Sequence, residues 1–415
     1  MTSSPADPSV IDSRRAAIRL LVSLGLVVLG NSSMYVVSVV LPAVQAEFGI
    51  SRADASMPYT LMMICLGLGG LWTGRLADRY GLTPVLWCGA LAVTAGFVGA
   101  GWSPNIWLFG LSHAIMGLLG SSATFAPLLA DTALWWNKRR GIAVAICACG
   151  NYIAGAMWPP LVQHGIETIG WRQTYTILGL ICGIGMLILS MYMRQRPPLV
   201  VDTPTALGQV AVDRSRPFGM HPAVAQFLLC VAAVACCVAM AMPQVHIVAY
   251  CSDLGYGAAR GAEMLSLMLG CGIVSRLVSG MICDRIGGIR TLLLGSALQG
   301  LALLLFLPVD GLVPLYVISA LFGLFQGGIV PSYAIIIREY FALNEAGSRV
   351  GSVIMASLLG MALGGWMSGW IFDITGSYKA AFMNGTAWNL LNLTIVLVLF
   401  WRIRPPRELT VASAQ

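Results

Sequence analysis

Arg276 is the side chain whose surroundings first suggest chemistry, because it lies inside the apolar stretch CGIVSRLVSGMICDRIGG. No other charged residue occurs between Glu263 and Asp284. Arg276 precedes Asp284 by eight residues, which in a helix places it ~12 Å from that end of the stretch. In a membrane, a charge at such depth costs at least ~2.5–3.5 kcal/mol on insertion scales and usually marks a ligand or ion pathway.

The neighbours of Arg276 predict that its guanidinium binds an anion. Gly272 and Gly280 lie one turn to either side on the same helical face, which predicts open space beside the charge. The acidic residues lie in tails, in the polar segment 194–221 or near the ends of apolar runs; the deepest, Asp131, adjoins the turn WWNKRRG. A ligand would then supply the counter-ion, and the planar fork of arginine suits a carboxylate. Alternatively, Arg276 bonds backbone carbonyls or a tyrosine.

Other polar side chains within apolar runs could complete a binding pocket. Each has two interpretations, contact with a ligand or a hydrogen bond to a neighbouring helix. A histidine could also carry a proton, since its unperturbed pKa near 6.5 suits titration at physiological pH. The candidates are Asn31, Tyr35 and Ser38 in the first run, Asn151 and Tyr152 in the fifth, His246 and Tyr250 in the seventh, and Gln326 and Tyr333 in the tenth.

The composition indicates a membrane protein. Of 415 residues, 58% are hydrophobic and 10% charged, whereas soluble domains carry about 25% charged residues. Apolar runs of about 20 residues, enough to cross ~30 Å of hydrocarbon, recur along the chain. They are interpreted as helices because a lone strand cannot satisfy its backbone in lipid. The twelve predicted spans are roughly 20–43, 58–78, 84–103, 106–130, 141–163, 173–193, 223–250, 262–283, 290–308, 312–337, 350–372 and 380–401.

Positive charge predicts the orientation of these spans. Lys and Arg concentrate on the side that holds both termini, and the other side holds only Arg52, Arg172, Arg260 and Lys379. The positive-inside rule then places both termini in the cytoplasm, with the protein in the cytoplasmic (inner) membrane. The net charge of +7 is therefore a topology signal, and we expect the lipid bilayer, not nucleic acid, as a partner.

The sequence lacks the patterns of metal sites, cofactor sites and active sites. Eleven cysteines occur without a CxxC pair and mostly inside spans, as small buried side chains do. HExxH and GxSxG motifs are absent, and no glycine-rich stretch has the strand-to-helix context of a phosphate loop. We therefore expect no metal, no cofactor and no enzyme activity.

A repeat divides the chain into two halves. Residues 47–81 align without a gap on 253–287 at an offset of 206. Arg276 aligns with Gly70, so symmetry does not require its charge. Duplicated halves joined by a polar linker are typical of secondary transporters that bind substrate between the repeats. The matched pairs are Gly49 and Gly255, Gly74 and Gly280, Asp78 and Asp284, Arg79 and Arg285, and Gly81 and Gly287.

The predicted fold is an all-α membrane protein with twelve transmembrane helices in two six-helix, pseudo-symmetric bundles. The polar, proline-bearing segment between the bundles suits a linker. The predicted parts are a cytoplasmic N-terminal tail (1–19), an N-terminal bundle (20–193), a cytoplasmic linker (194–221), a C-terminal bundle (222–402) and a cytoplasmic C-terminal tail (403–415).

Two groups of motifs resemble a known transporter family. GRLADRYG after the second span resembles the loop signature of the major facilitator superfamily, and GMICDRIGG resembles its second-half copy. Residues 117–161 resemble the monocarboxylate-porter branch, including bacterial lactate and oxalate relatives, through Pro127, the Trp135–Trp136 pair, the KRRG run and the Gly150/Gly155 spacing. The resemblance implies this superfamily's fold and a carrier that works as a monomer by alternating access.

The repeated loops predict a gate at the cytoplasmic side. Asp78 and Asp284 lie at helix ends, where a carboxylate can cap a neighbouring helix and pair with arginine. Such contacts could hold a gate closed and break when it opens. The alternative is that Arg79 and Arg285 only anchor the topology.

The resemblance also implies roles for single residues. It makes Arg276 the residue that binds the substrate carboxylate, and it places Tyr35 and Tyr333 on the cavity-lining first and tenth spans. Animal monocarboxylate porters have an aspartate where Gly272 stands, and bacterial members often have a tyrosine at the position of Phe125. These departures leave open whether transport is coupled to protons.

The number of cations favours a monocarboxylate as substrate. An oxalate-exchanging relative would carry a second cation on the eleventh span, but none occurs between Arg349 and Asp373. The sequence therefore predicts a secondary carrier of small organic anions such as lactate, pyruvate or 2-hydroxy acids, with protons or a second anion as coupled partner. The alternatives are an exporter of amphipathic drugs or aromatic acids, a dicarboxylate or anion exchanger, and a ligand sensor.

Overall fold

Twelve long helices make up most of the chain that the computed structural model describes, residues 11–195, 216–342 and 345–403. Every regular element in these ranges is helical. Each of the twelve is long and apolar enough to cross a membrane, which confirms the predicted fold class. The spans are Arg14–Phe48, Arg52–Tyr80, Leu82–Gly101, Ile106–Trp135, Arg140–Ile169, Trp171–Met193, Pro222–Asp253, Ala258–Ile286, Gly288–Leu305, Leu312–Tyr340, Ala346–Thr375 and Tyr378–Trp401.

Three of the spans are interrupted near their middle. The run MGLLGS in the fourth span and QGG in the tenth supply glycines, at which helices bend and break. The pieces are Arg14–Gly30 and Ser32–Phe48 in the first span, Ile106–Ile115, a π-helical turn Met116–Ser121, Ser122–Thr124 and Ala126–Trp135 in the fourth, and Leu312–Gln326 and Ile329–Tyr340 in the tenth.

The repeat in the sequence is also a repeat in the backbone. Gly81 ends the second span with φ +87°, and Gly287 ends the eighth with φ +85°. Residues that carry a side chain rarely adopt a positive φ. Glycine therefore allows the backbone to turn sharply at the end of each helix. The loop motif therefore ends in the same backbone turn in both halves.

The two halves meet along pairs of spans. The second span packs on the eleventh, the fifth on the eighth and the first on the seventh. Because successive spans run in opposite directions, the first span begins and the twelfth ends at the same end of the bundle. We call this the terminal end and the opposite one the distal end. The eighth span, which carries Arg276, thus faces the other half.

The predicted domain boundaries stay a prediction. Residues 1–10, 196–215 and 404–415, which hold most of the predicted tails and linker, lie outside the described ranges. The first helix begins at Arg14, earlier than residue 20, and the side chain of Ser13 accepts a hydrogen bond from the backbone of Ala16 at its start.

A buried ion pair joins the first and fourth spans near the terminal end. Arg19 Nε and Nη2 donate to the two carboxylate oxygens of Asp131 at 2.8 and 2.9 Å, and each side chain is 7% exposed. The guanidinium carbon also lies 4.5 Å from the ring centre of Trp135. The deepest acid of the sequence is therefore fully engaged inside the N-terminal half.

Asp131→Asn should destabilise the protein, because it leaves the Arg19 charge buried without a counter-ion. Breaking such a pair costs about 3–5 kcal/mol. We expect a clear fall in the apparent melting temperature of the purified protein in detergent. Glu345→Gln is the control, since the Glu345–Arg349 pair is more exposed and exposed pairs contribute about 0–1 kcal/mol. Equal shifts for the two variants would contradict the structural role of Asp131.

Candidate functional site

Arg276 reaches across the interface between the two halves. Its Nη1 donates to the carbonyl oxygen of Ala148 at 3.1 Å, and its guanidinium carbon lies 4.6 Å from the ring centre of Tyr152. Both residues belong to the fifth span. Arg276 Nε is buried and has no hydrogen-bond partner in the described part of the chain. A carbonyl dipole and an aromatic face hold the guanidinium but do not neutralise its charge.

The two glycines that flank Arg276 differ in their surroundings. A Cβ on Gly272 would lie 2.7 and 2.8 Å from carbons of the Tyr152 ring, whereas no atom lies within 4 Å of the same position at Gly280. The expectation of open space on both sides is therefore wrong at Gly272 and correct at Gly280. At Gly272, the missing side chain is what allows Tyr152 to reach Arg276.

Polar side chains from the first and fifth spans lie near Arg276. Tyr35 of the first span lies within electrostatic range of Arg276 and Tyr152. Tyr59 of the second span adjoins Tyr35. Among the described residues, the Tyr59 hydroxyl and Asn151 Oδ1 are buried without a hydrogen-bond partner. Because unpaired buried polar atoms are costly and uncommon, this cluster is a candidate place for a polar ligand.

No acid in the described ranges contacts Arg276. Asp78 and Asp284 are exposed at the terminal end. Six acids form ion pairs with other cations, namely Glu47, Asp131, Asp253, Glu263, Asp310 and Glu345. The others accept hydrogen bonds from backbone, hydroxyl or amide groups, namely Asp12, Asp54, Glu167, Glu339 and Asp373. The charge of Arg276 therefore has no counter-ion in this part of the chain.

The break in the tenth span is tied to the residue that precedes Arg276. The backbone nitrogen of Gly327 donates to Ser275 Oγ at 3.1 Å. A Cβ on Gly327 would lie 2.7 Å from the carbonyl oxygen of Gly272 and 2.8 Å from the nitrogen of Arg276. Glycine thus allows the backbones of the tenth and eighth spans to approach closely at the level of the site.

The remaining predicted pocket residues on the first, fourth and tenth spans make helix contacts. Tyr333 is 1% exposed and donates to Asn392 Oδ1 at 3.0 Å. Asn31, at the break in the first span, donates to the carbonyl oxygen of Val27 at 3.0 Å. Phe125 is half-buried at the break in the fourth span. Contact of these three residues with a substrate stays a prediction.

The two halves separate from the site toward the terminal end. A Cβ on Gly67 of the second span would lie 2.6 Å from Met355 Sδ of the eleventh. Gly74, two turns further on the same face, has no neighbouring atom within 4 Å. On the eighth span, the position of a Cβ is likewise crowded by the other half at Gly272 and free of neighbouring atoms at Gly280. The site therefore opens toward the terminal end.

Arg52, at the start of the second span, holds the halves together at the distal end. Its Nη1 donates to the Tyr378 hydroxyl at 2.7 Å, and its Nη2 lies 3.2 Å from Asp253 Oδ1. The backbone nitrogens of Arg52 and Ala53 each donate to the carboxylate of Asp373 at 2.8 Å. We call this set of contacts the distal clasp. Its three acceptors belong to the other half, so the clasp closes the distal end.

His246 lies beside the distal clasp. Its Nδ1 is 3.2 Å from the Tyr378 hydroxyl and its Nε2 is 2.8 Å from the carbonyl oxygen of Gly365. Because a carbonyl only accepts, we assign the proton to Nε2, and Nδ1 then accepts from Tyr378. Both ring nitrogens are used in contacts between spans, and a role of His246 in substrate binding stays a prediction.

A match to a family model identifies the protein family that the loop motifs suggested. The model of the Major Facilitator Superfamily matches residues 21–313 and 227–415. The chain belongs to the major facilitator superfamily. It is therefore a transporter and an integral multi-pass membrane protein.

Relatives within the superfamily include monocarboxylate transporters. Monocarboxylate transporter 13 of Rattus norvegicus is 26% identical over 78% of this chain and 74% of its own length. The uncharacterized MFS-type transporter YhjX of Escherichia coli is 23% identical over 79% of this chain and 81% of its own. The chain thus resembles the monocarboxylate branch of the superfamily.

Solved structures of superfamily transporters share the fold. A mutant of the nucleoside transporter NupG has a TM-score of 0.73 at 11% identity, covering 94% of this chain and 100% of that one. A bacterial homologue of the lysosomal transporter Spinster, inward-facing and unoccupied, has a TM-score of 0.68 at 14% identity, covering 94% and 95%. At such low identity the likeness shows the fold alone.

The superfamily loop motifs lie at the terminal end. Asp78 and Asp284 are exposed and make no hydrogen bond or ion pair with the residues that the structure describes. The nitrogen of Gly288, at the start of the ninth span, is instead 3.2 Å from both carboxylate oxygens of Glu339. The capping expected of Asp78 and Asp284 is therefore not made in this conformation, in which the terminal end is open.

Sequence reasoning missed Tyr59 as a neighbour of Tyr35 and Arg52 as a contact between the halves. Arg52 carries a signal that could have been used. A cation in the first turn of a helix opposes the helix dipole, so it needs a compensating partner. Tyr59 carries no such signal, because its position within an apolar run does not distinguish it from other tyrosines.

Gly272→Ala should lower thermal stability, whereas Gly280→Ala should not. The added Cβ at Gly272 would overlap the Tyr152 ring, and overpacking costs about 1–3 kcal/mol. At Gly280 the space is empty, and alanine favours a helix by about 0.5–1 kcal/mol. Apparent melting temperatures in detergent measure the difference. A Gly272→Ala protein as stable as the Gly280→Ala protein would contradict the packing of Tyr152.

Arg52→Gln should loosen the distal end, because it removes the ion pair with Asp253. We expect faster hydrogen–deuterium exchange in peptides that cover the distal ends of the seventh and twelfth spans, which hold Asp253 and Tyr378. Arg172→Gln is a matched control, since the Arg172–Glu47 pair also lies at the distal end but within one half. Unchanged exchange around Asp253 and Tyr378 in the Arg52→Gln protein would argue against the clasp.

Proposed function

We propose that the protein is a secondary active transporter of small organic monocarboxylates, such as lactate, pyruvate or a 2-hydroxy acid, and that Arg276 binds the substrate carboxylate. The observation that carries the proposal is a guanidinium at the junction of the two halves with no acid beside it among the described residues. A carboxylate at Nε would accept a hydrogen bond from this unpaired donor and neutralise the charge of the guanidinium. The names of relatives in the monocarboxylate branch support the same substrate class.

The site favours a small acid with one charge and a second polar group. One guanidinium balances one carboxylate, and no other cation has been identified beside it in the described ranges. The nearby neutral groups are the hydroxyls of Tyr35 and Tyr152 and the amide of Asn151, and Tyr59 lies beside Tyr35. Such groups fix the orientation of a ligand, and here they could bind a 2-hydroxyl or 2-oxo oxygen.

Alternating access is the mechanism that we infer for this carrier. The positive-inside rule puts the terminal end in the cytoplasm of the cell, so the present conformation would be open inward. Closure at that end would bring the two loop motifs together while the distal clasp opens. These motifs comprise Gly74, Asp78, Arg79, Gly81, Gly280, Asp284, Arg285 and Gly287. Superfamily membership supports such rocking of one half against the other around a central site.

Arg276→Gln should abolish or strongly weaken uptake of monocarboxylates. A hydrogen bond to a charged group contributes about 1.5–3 kcal/mol, so the apparent affinity should fall roughly 10- to 150-fold. The measurement is uptake of labelled lactate, pyruvate and 2-hydroxyisobutyrate into proteoliposomes loaded with the unlabelled acid.

Arg260→Gln serves as the control for that experiment. Arg260 is a second arginine on the eighth span, but it is 53% exposed and paired with Glu263. We expect its uptake to match the wild type. Wild-type uptake by the Arg276→Gln protein would remove Arg276 from the binding site and favour a transporter of drugs or neutral solutes.

A further inference from the structure

The empty binding site carries a net positive charge. The titratable side chains that face Arg276 are Tyr35, Cys149 and Tyr152, and phenols and thiols are neutral near pH 7. The acids of the described ranges all have positions away from Arg276. In the present conformation the charge is tolerated because the terminal end is open, the Ala148 carbonyl accepts one hydrogen bond and the Tyr152 ring covers one face.

This charge matters most when the carrier changes conformation. To pass from open at one end to open at the other, the halves must close around the site, which removes water from Arg276. A bare guanidinium in a closed membrane site is strongly disfavoured, whereas a guanidinium paired with a carboxylate is neutral and hydrogen-bonded. The passage of the empty carrier should therefore be slower than that of the loaded carrier, on the order of 100-fold.

We propose that the protein is an obligate anion exchanger, in which a carboxylate must occupy Arg276 in both directions of the cycle. This inference rests on the proposed function, since it requires that Arg276 bind the substrate. One monocarboxylate enters for each that leaves, so the exchange moves no net charge. The uncompensated cation thus enforces the coupling, because it holds back the empty carrier.

The test compares vesicles with and without internal substrate. Proteoliposomes are loaded either with an unlabelled monocarboxylate or with chloride buffer, and the initial uptake of the labelled acid is measured. Valinomycin with equal potassium on both sides clamps the membrane potential, so that charge movement does not limit uptake into empty vesicles. We expect at least tenfold faster uptake into loaded vesicles, and no comparable rate in empty vesicles under an inward proton gradient.

The two ways of failing are distinguishable. Equal uptake into loaded and empty vesicles would overturn exchange while leaving monocarboxylate transport in place. Fast uptake into empty vesicles only under the proton gradient would likewise overturn exchange, in favour of proton coupling. No uptake of lactate, pyruvate or 2-hydroxyisobutyrate under any loading would overturn the proposed function, and exchange with it.

A carboxylate introduced near Arg276 should allow the empty carrier to change conformation, so that transport no longer requires exchange. Cys149 follows Ala148 in the fifth span, is 4% exposed and lies within electrostatic range of Arg276. Cys149→Asp would place a carboxylate near the guanidinium, so the empty carrier could close. We expect the loaded-to-empty ratio of uptake rates to fall toward one, together with weaker binding of the acid.

Cys149→Asn is the matched control, because it has the size and polarity of the aspartate variant without its charge. Its loaded-to-empty ratio should stay close to that of the wild type. Equal ratios for the Asp and Asn variants would overturn the electrostatic origin of the coupling. If the Asp variant does not fold, the wild-type comparison of loaded and empty vesicles still decides whether exchange is obligatory.

Discussion

A charged side chain inside a membrane protein needs a partner, and three arginines in the described part of the chain obtain theirs in different ways. Arg19 is paired with Asp131 inside one half. Arg52 is paired with Asp253 across the two halves at the distal end. Arg276 has a carbonyl and an aromatic ring but no acid in the described ranges. The first arrangement stabilises a bundle, the second joins the bundles, and the third is where we propose that an anion binds.

The site is asymmetric although its scaffold is symmetric. The matching turns at Gly81 and Gly287 show the repeat in the backbone, but Arg276 corresponds to Gly70 in the first half. The cation comes from the second half, and the neighbouring tyrosines come from the first. A ligand that touches both would therefore respond to the distance between the halves, which is the variable that changes during transport.

The sequence predicted the fold well because the signals for a membrane helix are local. Length, hydropathy and the repeated loops were enough for twelve spans, and the depth of Arg276 follows from counting residues. The neighbours of Arg276 depend instead on the packing of the fifth span against the eighth. Gly272 was therefore interpreted as space for a ligand, whereas it is space for Tyr152. The positions of Tyr59 and the partners of Arg52 likewise required the arrangement of the two halves.

The hydrogen bonds of the distal clasp are not equally sensitive to substitutions in the two halves. Asp373 accepts from the backbone nitrogens of residues 52 and 53, which nearly any amino acid would supply. A substitution at Arg52 therefore removes the side-chain contacts and leaves the two backbone contacts available. A substitution at Asp373 removes both of these at once, and no change in the first half can restore them. Substitutions in the first half, which donates these hydrogen bonds, should therefore disturb the clasp less than a substitution of Asp373 in the second half, which accepts them.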